Sequence, residues 1–176
     1  KYKLIANLPY YITSPLLMHL LMNRFNFSVA IVMVQLEVAE RLAAEPGTKQ
    51  YGSLSVAVQY FTESKILFKV PRTVFFPAPD VDSAVVRLSK RASPAVTVRN
   101  EETFFKVVRA AFGQRRKTLV NSLDGSGLGP DKATWLKVLE HSGIDAARRG
   151  ETLTLSEFAL LTDVYLDFRM DSLPFT

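Results

Sequence analysis

Short apolar runs alternate with longer mixed segments along the first half of the chain. Four of these runs predict β-strands, at residues 3–8, 29–34, 65–70 and 81–88. The second run, VAIVMV, is apolar at every position, which indicates a strand buried on both faces, as in a parallel sheet. Ser14 followed by Pro15 predicts a capped helix over residues 15–22, and a further helix is predicted over residues 36–44.

Residues 54–60 fit two patterns. Leu54, Val56, Val58 and Tyr60 alternate with other residues as in a strand, whereas the position of the segment between two strands favours a helix.

The second half of the chain has only the helical period. A helix capped by Asn100 is followed by a predicted basic helix over residues 115–123 and a third helix over residues 131–141. The spacing of Thr154 and Glu157 predicts a capping box at the start of the last helix.

The order of these elements predicts an α/β fold followed by a small all-helical domain. The segment ASPA at residues 92–95 marks the boundary, so the predicted domains are residues 1–91 and 92–176.

Composition narrows the possible chemistry. The 176 residues include no Cys and only two His, which excludes a disulfide scaffold, a Cys nucleophile and thiolate metal ligation, and predicts no metal site. The longest apolar run, residues 29–34, is too short to cross a bilayer, so no membrane partner is predicted. Without an apolar leader, a cytoplasmic location is expected, and the start at Lys1 suggests a missing N-terminal part.

Basic side chains are unevenly distributed. The chain has 22 Lys and Arg against 17 Asp and Glu, a net charge of +5. One acid-free stretch, residues 106–117, contains five of the cations: Lys106, Arg109, Arg115, Arg116 and Lys117. Such a cluster suits RNA phosphates, although a solvated helix face has the same composition.

The tetrapeptide Asn7-Leu8-Pro9-Tyr10 follows the first predicted strand. Ligands of open α/β sheets bind beyond the carboxyl ends of the strands. There, an Asn oxygen and a neighbouring backbone carbonyl can accept both hydrogens of an exocyclic amine, and an aromatic ring can stack on the base that carries it. The alternative interpretation is an ordinary strand-to-helix turn.

Five blocks of sequence resemble the rRNA adenine N6-dimethyltransferase family, in its small-subunit dimethyladenosine transferase branch. They are NLPYYITSP at 7–15, QLEVAERL at 35–42, YGSLSV at 51–56, FFPAPDVDS at 75–83 and AFGQRRKTL at 111–119. The resemblance implies the C-terminal part of a Rossmann-like class I methyltransferase sheet, with residues 51–61 helical, followed by the helical domain.

The resemblance also implies a reaction and its site. Family members transfer methyl groups from S-adenosylmethionine to two adjacent adenosines in the 3′-terminal hairpin of 16S rRNA, during maturation of the small ribosomal subunit. Asn7 and the Leu8 carbonyl, held by Pro9, would bind the target N6, with Asn7 also near the cofactor. Tyr10 would stack on one face of the adenine and Phe75 on the other, although Phe75 is also compatible with a core aromatic. The basic cluster would bind rRNA phosphates.

The family's glycine-rich cofactor loop would precede Asn7 and is absent from this chain. The GSGLG segment at 125–129 follows a polar residue and precedes Pro130, so it is predicted to be an interhelical loop. The sequence is therefore interpreted as an N-terminally truncated enzyme, inactive alone, whose exposed strand edge favours self-association.

Three other functions remain open. They are a DNA or protein-amide methyltransferase that shares the tetrapeptide, a 23S rRNA adenine methylase of the antibiotic-resistance type, and a non-catalytic rRNA-binding assembly module.

Overall fold

A computed structural model describes residues 1–23 and 25–171. In chain order its strands and α-helices are β1 (Tyr2–Asn7), α1 (Thr13–Met22), β2 (Phe27–Gln35), α2 (Leu36–Leu42), α3 (Ser53–Phe61), β3 (Thr62–Val70), β4 (Ser83–Lys90), α4 (Glu101–Gly113), α5 (Leu119–Asp124), α6 (Lys132–His141) and α7 (Leu155–Asp171). Short 3₁₀ turns occupy Tyr10–Ile12, Arg72–Val74 and Gly150–Thr152.

The chain divides into two compact units. The sheet unit comprises residues 1–45 and 50–95, and the helical unit comprises residues 46–49 and 96–176. The α/β class and the helical C-terminal part are therefore as expected, whereas the division into domains at residues 91 and 92 stays a prediction.

The sheet has the strand order β1-β2-β4-β3. Strands β1 and β2 are parallel, but β4 runs antiparallel to both β2 and β3. The prediction that β2 is buried on both faces was wrong. Ala30, Val32 and Val34 are fully buried, while the alternate residues between them are only half-buried, because successive side chains of a strand face opposite sides of the sheet.

Two helix predictions in the sheet unit had different outcomes. Residues 53–61 form a helix, and seven of its nine residues are buried, so its apolar alternation reflects burial on nearly all sides rather than a strand. The Ser14 cap was wrong, because α1 already begins at Thr13 and has no side-chain cap. The Thr13 hydroxyl instead donates to the Pro9 carbonyl oxygen at 2.9 Å and ties the helix to the preceding turn.

Side-chain caps define the helices of the helical unit. Asn100 and Asp131 accept hydrogen bonds at the starts of α4 and α6. The Asn100 cap is as the sequence predicts, whereas the sequence predicted the helix at 131–141 but not its cap. The predicted capping box also forms, because Glu157 accepts from the Thr154 N–H at 2.8 Å and its own N–H donates to the Thr154 hydroxyl at 3.2 Å. In the core of this unit, Trp135 stacks on Tyr165 with ring centroids 4.9 Å apart.

The predicted basic helix over residues 115–123 was wrong over residues 115–118, which include its three cations, and right over residues 119–123. Residues 114–118 form a turn, closed by a hydrogen bond from the Lys117 N–H to the Gln114 carbonyl oxygen at 2.9 Å, and α5 begins only at Leu119. The Leu119 N–H donates to the Arg148 carbonyl oxygen at 2.6 Å, a long-range bond that the local sequence does not reveal. Residues 125–130 connect α5 to α6, which confirms the interhelical loop.

Candidate functional site

A cleft of about 330 Å³ lies at the carboxyl end of β1. It is lined by Asn7, Leu8, Pro9, Tyr10, Met33, Phe75, Pro77 and Pro79. The fold thus brings together the five residues that the sequence suggested for catalysis, four at the end of β1 and one about 65 residues further along the chain. Their roles in a reaction stay predictions.

Two oxygen acceptors of the tetrapeptide have no partner within the described residues. The Leu8 N–H donates to the Met33 carbonyl oxygen at 3.1 Å, and the Pro9 carbonyl accepts from the Ile12 N–H at 3.2 Å. By contrast, the Leu8 carbonyl and the side chain of Asn7, which is exposed, accept no hydrogen bond from the part of the chain that the structure describes. Because both residues line the cleft, these two oxygens are its candidate acceptors for a ligand.

Two aromatic rings line the same cleft. Tyr10 and Phe75 are each half-buried, so Phe75 is not a core aromatic. The Tyr10 hydroxyl lies 2.7 Å from the Ser83 hydroxyl oxygen. The loop that carries Phe75 is held at its two ends, because the Arg72 N–H donates to the Asp82 carboxylate at 2.9 Å. Both rings are thus presented from restrained backbone.

The cleft offers hydrogen-bond acceptors and aromatic faces rather than acid–base chemistry. None of the described residues that line it carries a carboxylate or an imidazole. Over residues 1–23 and 25–171, no group of three or more His, Asp and Glu side chains is arranged to hold a metal ion. Within those same ranges, every helix is too short or too polar to cross a membrane.

Sequence reasoning missed Met33 and Ser83. Met33 is the β2 residue paired with Asn7 in the sheet register, and register is not readable from the strand sequences alone. Ser83 ends the FFPAPDVDS block, but nothing local connects it to a tyrosine 73 positions earlier.

The predicted RNA-binding cations are not equivalent. In the turn formed by residues 114–118, which we call the basic loop, Arg115 donates from Nε to the Glu151 carboxylate at 3.3 Å and from a second N–H to the Lys49 carbonyl oxygen. Glu151 is itself restrained, because its carbonyl accepts from the Gly47 N–H at 2.7 Å. Arg116 and Lys117 are exposed and have no acidic partner among the described residues.

The two cations of α4 differ in the same way. Lys106 pairs with Glu102 one turn earlier, with Nζ 2.7 Å from the carboxylate. The hydrogen bond from Lys106, together with its charge and that of Arg109, lowers the pKa of Glu102 below its ordinary value. Arg109 is exposed and makes no ion pair with a described residue. Arg109, Arg116 and Lys117 are therefore the cations of the cluster most available to an external anion.

Residues 1–160 match the sequence model of the ribosomal RNA adenine dimethylase family. The chain belongs to this family. A relative from Pelotomaculum thermopropionicum, "Ribosomal RNA small subunit methyltransferase A", is 70% identical over 167 residues, covering 95% of this chain and 57% of the relative. A protein of the same name from Moorella thermoacetica is 55% identical over 161 residues, covering 92% of this chain and 55% of its own length.

Solved structures show the same fold. A dimethyladenosine transferase from Plasmodium falciparum superposes with a TM-score of 0.80 at 29% identity, covering 98% of this chain and 68% of that protein. The 23S rRNA methyltransferase ErmE superposes with a TM-score of 0.65 at 23% identity, covering 92% and 64%. The sheet and helices of this family member are thus those of a methyltransferase fold. The chain spans a little over half the length of the curated relatives it matches.

Proposed function

We propose that a full-length protein containing this chain dimethylates N6 of two adjacent adenosines in the 3′-terminal hairpin of 16S rRNA. By full-length protein we mean a protein that contains this chain and also the segment of its relatives that this chain does not cover. The proposal is supported by membership of the ribosomal RNA adenine dimethylase family and by relatives named for the small ribosomal subunit. It includes a role in maturation of that subunit, in the cytoplasm.

The observation that carries the proposal is the pair of free acceptors beside two aromatic rings. The amino group of adenine has two hydrogens, and its lone pair is delocalised into the ring, which makes N6 a poor nucleophile. Acceptance of both hydrogens, by the Asn7 side-chain oxygen and the Leu8 carbonyl, favours a pyramidal nitrogen with a localised lone pair. Tyr10 and Phe75 would hold the base between their faces and fix its orientation.

The cofactor proposed for the full-length protein is S-adenosylmethionine, which supplies a methyl group activated by a positively charged sulfur. The chemistry of the cleft suits such a neighbour, since carbonyl oxygens and aromatic faces attract cations, and none of the described residues that line the cleft is Lys or Arg. Asn7 is the residue of this chain that we propose to lie beside the cofactor. The main cofactor-binding loop is proposed to lie outside this chain, so the chain alone is expected to be inactive.

For the chain alone, RNA binding without catalysis is the favoured activity. Arg109, Arg116 and Lys117 form no ion pair with a described acid, and electrostatic binding to phosphates does not require the cofactor. This second function is the proposed contribution of the helical unit to the complete enzyme.

A methyl-transfer assay on two RNA substrates tests the proposal. The full-length protein is incubated with S-adenosylmethionine labelled in its methyl group and with either an unmethylated 3′-terminal hairpin of 16S rRNA or an adenosine-containing 23S rRNA hairpin of equal length. We expect labelling of the small-subunit hairpin alone. Labelling of only the 23S hairpin would assign the enzyme to the large subunit, and labelling of neither would contradict the proposed reaction.

A further inference from the structure

The strongest structural feature of the cleft without an assigned role is the contact between Tyr10 and Ser83. Their hydroxyl oxygens are 2.7 Å apart, and either hydroxyl can donate. Tyr10 is the half-buried ring of the tetrapeptide, at the start of the turn that follows β1, whereas Ser83 is fully buried as the first residue of β4. The bond therefore joins the turn after β1, which lines the cleft, to the first residue of β4.

Ser83 is held on both sides by the sheet. It pairs with Gln35 on β2 and with Val70 on β3, so its backbone lies between two neighbouring strands. The residue before it is fixed as well, because the Asp82 carbonyl accepts from the Leu36 N–H at 2.9 Å. The backbone of Ser83 is consequently held in place, and its hydroxyl is a fixed hydrogen-bond partner for Tyr10.

The Tyr10 ring is less restrained than Ser83. It belongs to a single 3₁₀ turn whose residues are not fully buried, so neighbouring side chains restrict the ring less than they would in a core. A hydrogen bond at the Tyr10 hydroxyl fixes the far end of the ring and therefore χ1. Because the phenol O–H prefers to lie in the plane of the ring, the bond also favours one orientation about χ2, which an unbonded ring does not have. The effect of an aromatic face on a base depends on that orientation, because stacking requires nearly parallel planes.

We infer that Ser83 is a positioning residue, which sets the plane of the Tyr10 ring against the adenine. This inference rests on the proposed function, since it assigns Ser83 a role only through the stacking of Tyr10. Ser83 would touch neither the base nor the cofactor. Its effect would be to restrict the orientation of the Tyr10 ring before the base enters the cleft. The entropy cost of orienting the ring would then not be added to the barrier of the reaction.

A double-mutant cycle in the full-length protein tests the inference. Ser83→Ala and Tyr10→Phe each remove the same hydrogen bond from opposite ends, so kcat should fall by a similar factor in both variants and in the double variant. A neutral hydrogen bond contributes enough to predict a loss of roughly three- to tenfold. The KM for the RNA hairpin should stay within about twofold, because RNA affinity comes mainly from phosphate contacts.

The matched control is Ser89→Ala. Ser89 is a half-buried serine of the same strand whose hydroxyl has no hydrogen-bond partner among the described residues, and wild-type kcat is expected for this variant. Thermal unfolding of every variant separates a positioning effect from a loss of folded protein. If Ser83→Ala does not fold, Tyr10→Phe still tests the bond from its other end.

The outcomes distinguish this inference from the proposed function. Wild-type turnover in Tyr10→Ala would contradict the stacking role of Tyr10, and the role of Ser83 with it. A large loss in Tyr10→Ala, combined with turnover equal to the Ser89→Ala control in both Ser83→Ala and Tyr10→Phe, would overturn the role of Ser83 alone. Losses that multiply in the double variant would also overturn it, because the two residues would then act independently.

Discussion

At the scale of single residues, the site is defined by polar groups without partners. Backbone carbonyls of a folded protein are almost always hydrogen-bonded or hydrated, so an available carbonyl beside an exposed amide is a candidate binding position. The Leu8 carbonyl and the Asn7 side chain form such a pair at the end of β1. The same reasoning separates Arg116 and Lys117, which have no described acidic partner, from Arg115, which is bonded within the helical unit.

Replacement of Arg116 and Lys117 together by Ala should weaken RNA binding and its dependence on salt. Each phosphate contact that is lost lowers the slope of log K against log[salt] by about 0.7–0.9, so the double variant should lose about 1.4–1.8. Filter binding of an rRNA hairpin across a salt series measures the slope.

The control for the basic loop is the pair Lys132→Ala and Lys137→Ala, which removes two exposed cations from α6. This variant should keep the wild-type slope. If the wild type and both double variants have the same slope of log K against log[salt], the basic loop is a solvated surface that does not contact RNA phosphates.

The sequence predicted the residues of the candidate site better than it predicted the contacts between them. Asn7 and Tyr10 could be predicted because the motif lies in consecutive positions, and Phe75 because its block resembles the family. The bond from Tyr10 to Ser83 and the one from Arg115 to Glu151 join residues 73 and 36 positions apart. Such contacts depend on how the elements pack, which the local pattern does not specify.

At the scale of elements, the predicted caps at Asn100 and Thr154 formed, whereas the predicted Ser14 cap and the helical start at residue 115 did not. Asn100, Asp131 and Thr154 each bond a backbone N–H within three residues, so the sequence contains the whole interaction. The run from 115 to 123 has residues compatible with a helix, but the tertiary bond from the Leu119 N–H to the Arg148 carbonyl sets where α5 begins. Tertiary contacts of this kind override helical propensity.

The start of α7 should make the stability of the helical unit depend on pH. Arg148 donates to both oxygens of Glu157, at 2.5 and 3.2 Å, and this hydrogen-bonded pair lowers the pKa of Glu157 below its ordinary value of 4.5. A carboxyl with a lowered pKa stabilises the fold above its ordinary pKa, and the contribution is lost as pH falls through the lower folded value. Glu157→Gln should therefore reduce the free energy of unfolding by about 1 kcal/mol at neutral pH.

Denaturant unfolding, followed by fluorescence of the single, fully buried Trp135, reports on this unit. The difference between wild type and Glu157→Gln should disappear at about pH 2. At that pH the Glu157 carboxyl of the wild type is protonated and therefore uncharged, as the amide of the variant is at every pH. The control Glu140→Gln changes an exposed carboxyl of α6 that forms no described ion pair. A loss in Glu157→Gln that persists undiminished in acid would contradict the assignment to the ionised carboxylate.

Strand β1 is an edge of the sheet with apolar side chains in solvent. Ile5 is 83% exposed, and a neighbouring cavity of about 280 Å³ is lined mainly by apolar residues, most of them from β1 and α1. An unprotected edge of this composition favours pairing with another strand. We therefore expect the isolated chain to self-associate, and Ile5→Lys to shift it toward a monomer in light scattering.

Leu160→Lys, which changes a half-exposed leucine of α7, is the control for added charge alone. Equal association in wild type, Ile5→Lys and Leu160→Lys would show that β1 is not the contact.

At the scale of the whole molecule, fold class was predictable and topology was not. Alternating strands and helices followed by helices alone predict an α/β unit and a helical unit, and both are present. The antiparallel insertion of β4 between β2 and β3 could not be read from the chain, because strand order depends on which edges meet. That insertion places Ser83 next to the end of β2 and thereby beside the cleft.

The most direct test of the account is the methylation state of the RNA after reaction with the Asn7→Ala variant of the full-length protein. Nucleoside mass spectrometry of the 16S hairpin should detect dimethyladenosine with wild type and with the control Asn26→Ala, which changes an exposed asparagine outside the cleft. With Asn7→Ala it should detect none, while hairpin affinity stays within about twofold because phosphate contacts dominate binding. Wild-type amounts of dimethyladenosine from Asn7→Ala would contradict the assignment of the cleft at the end of β1 as the methylation site.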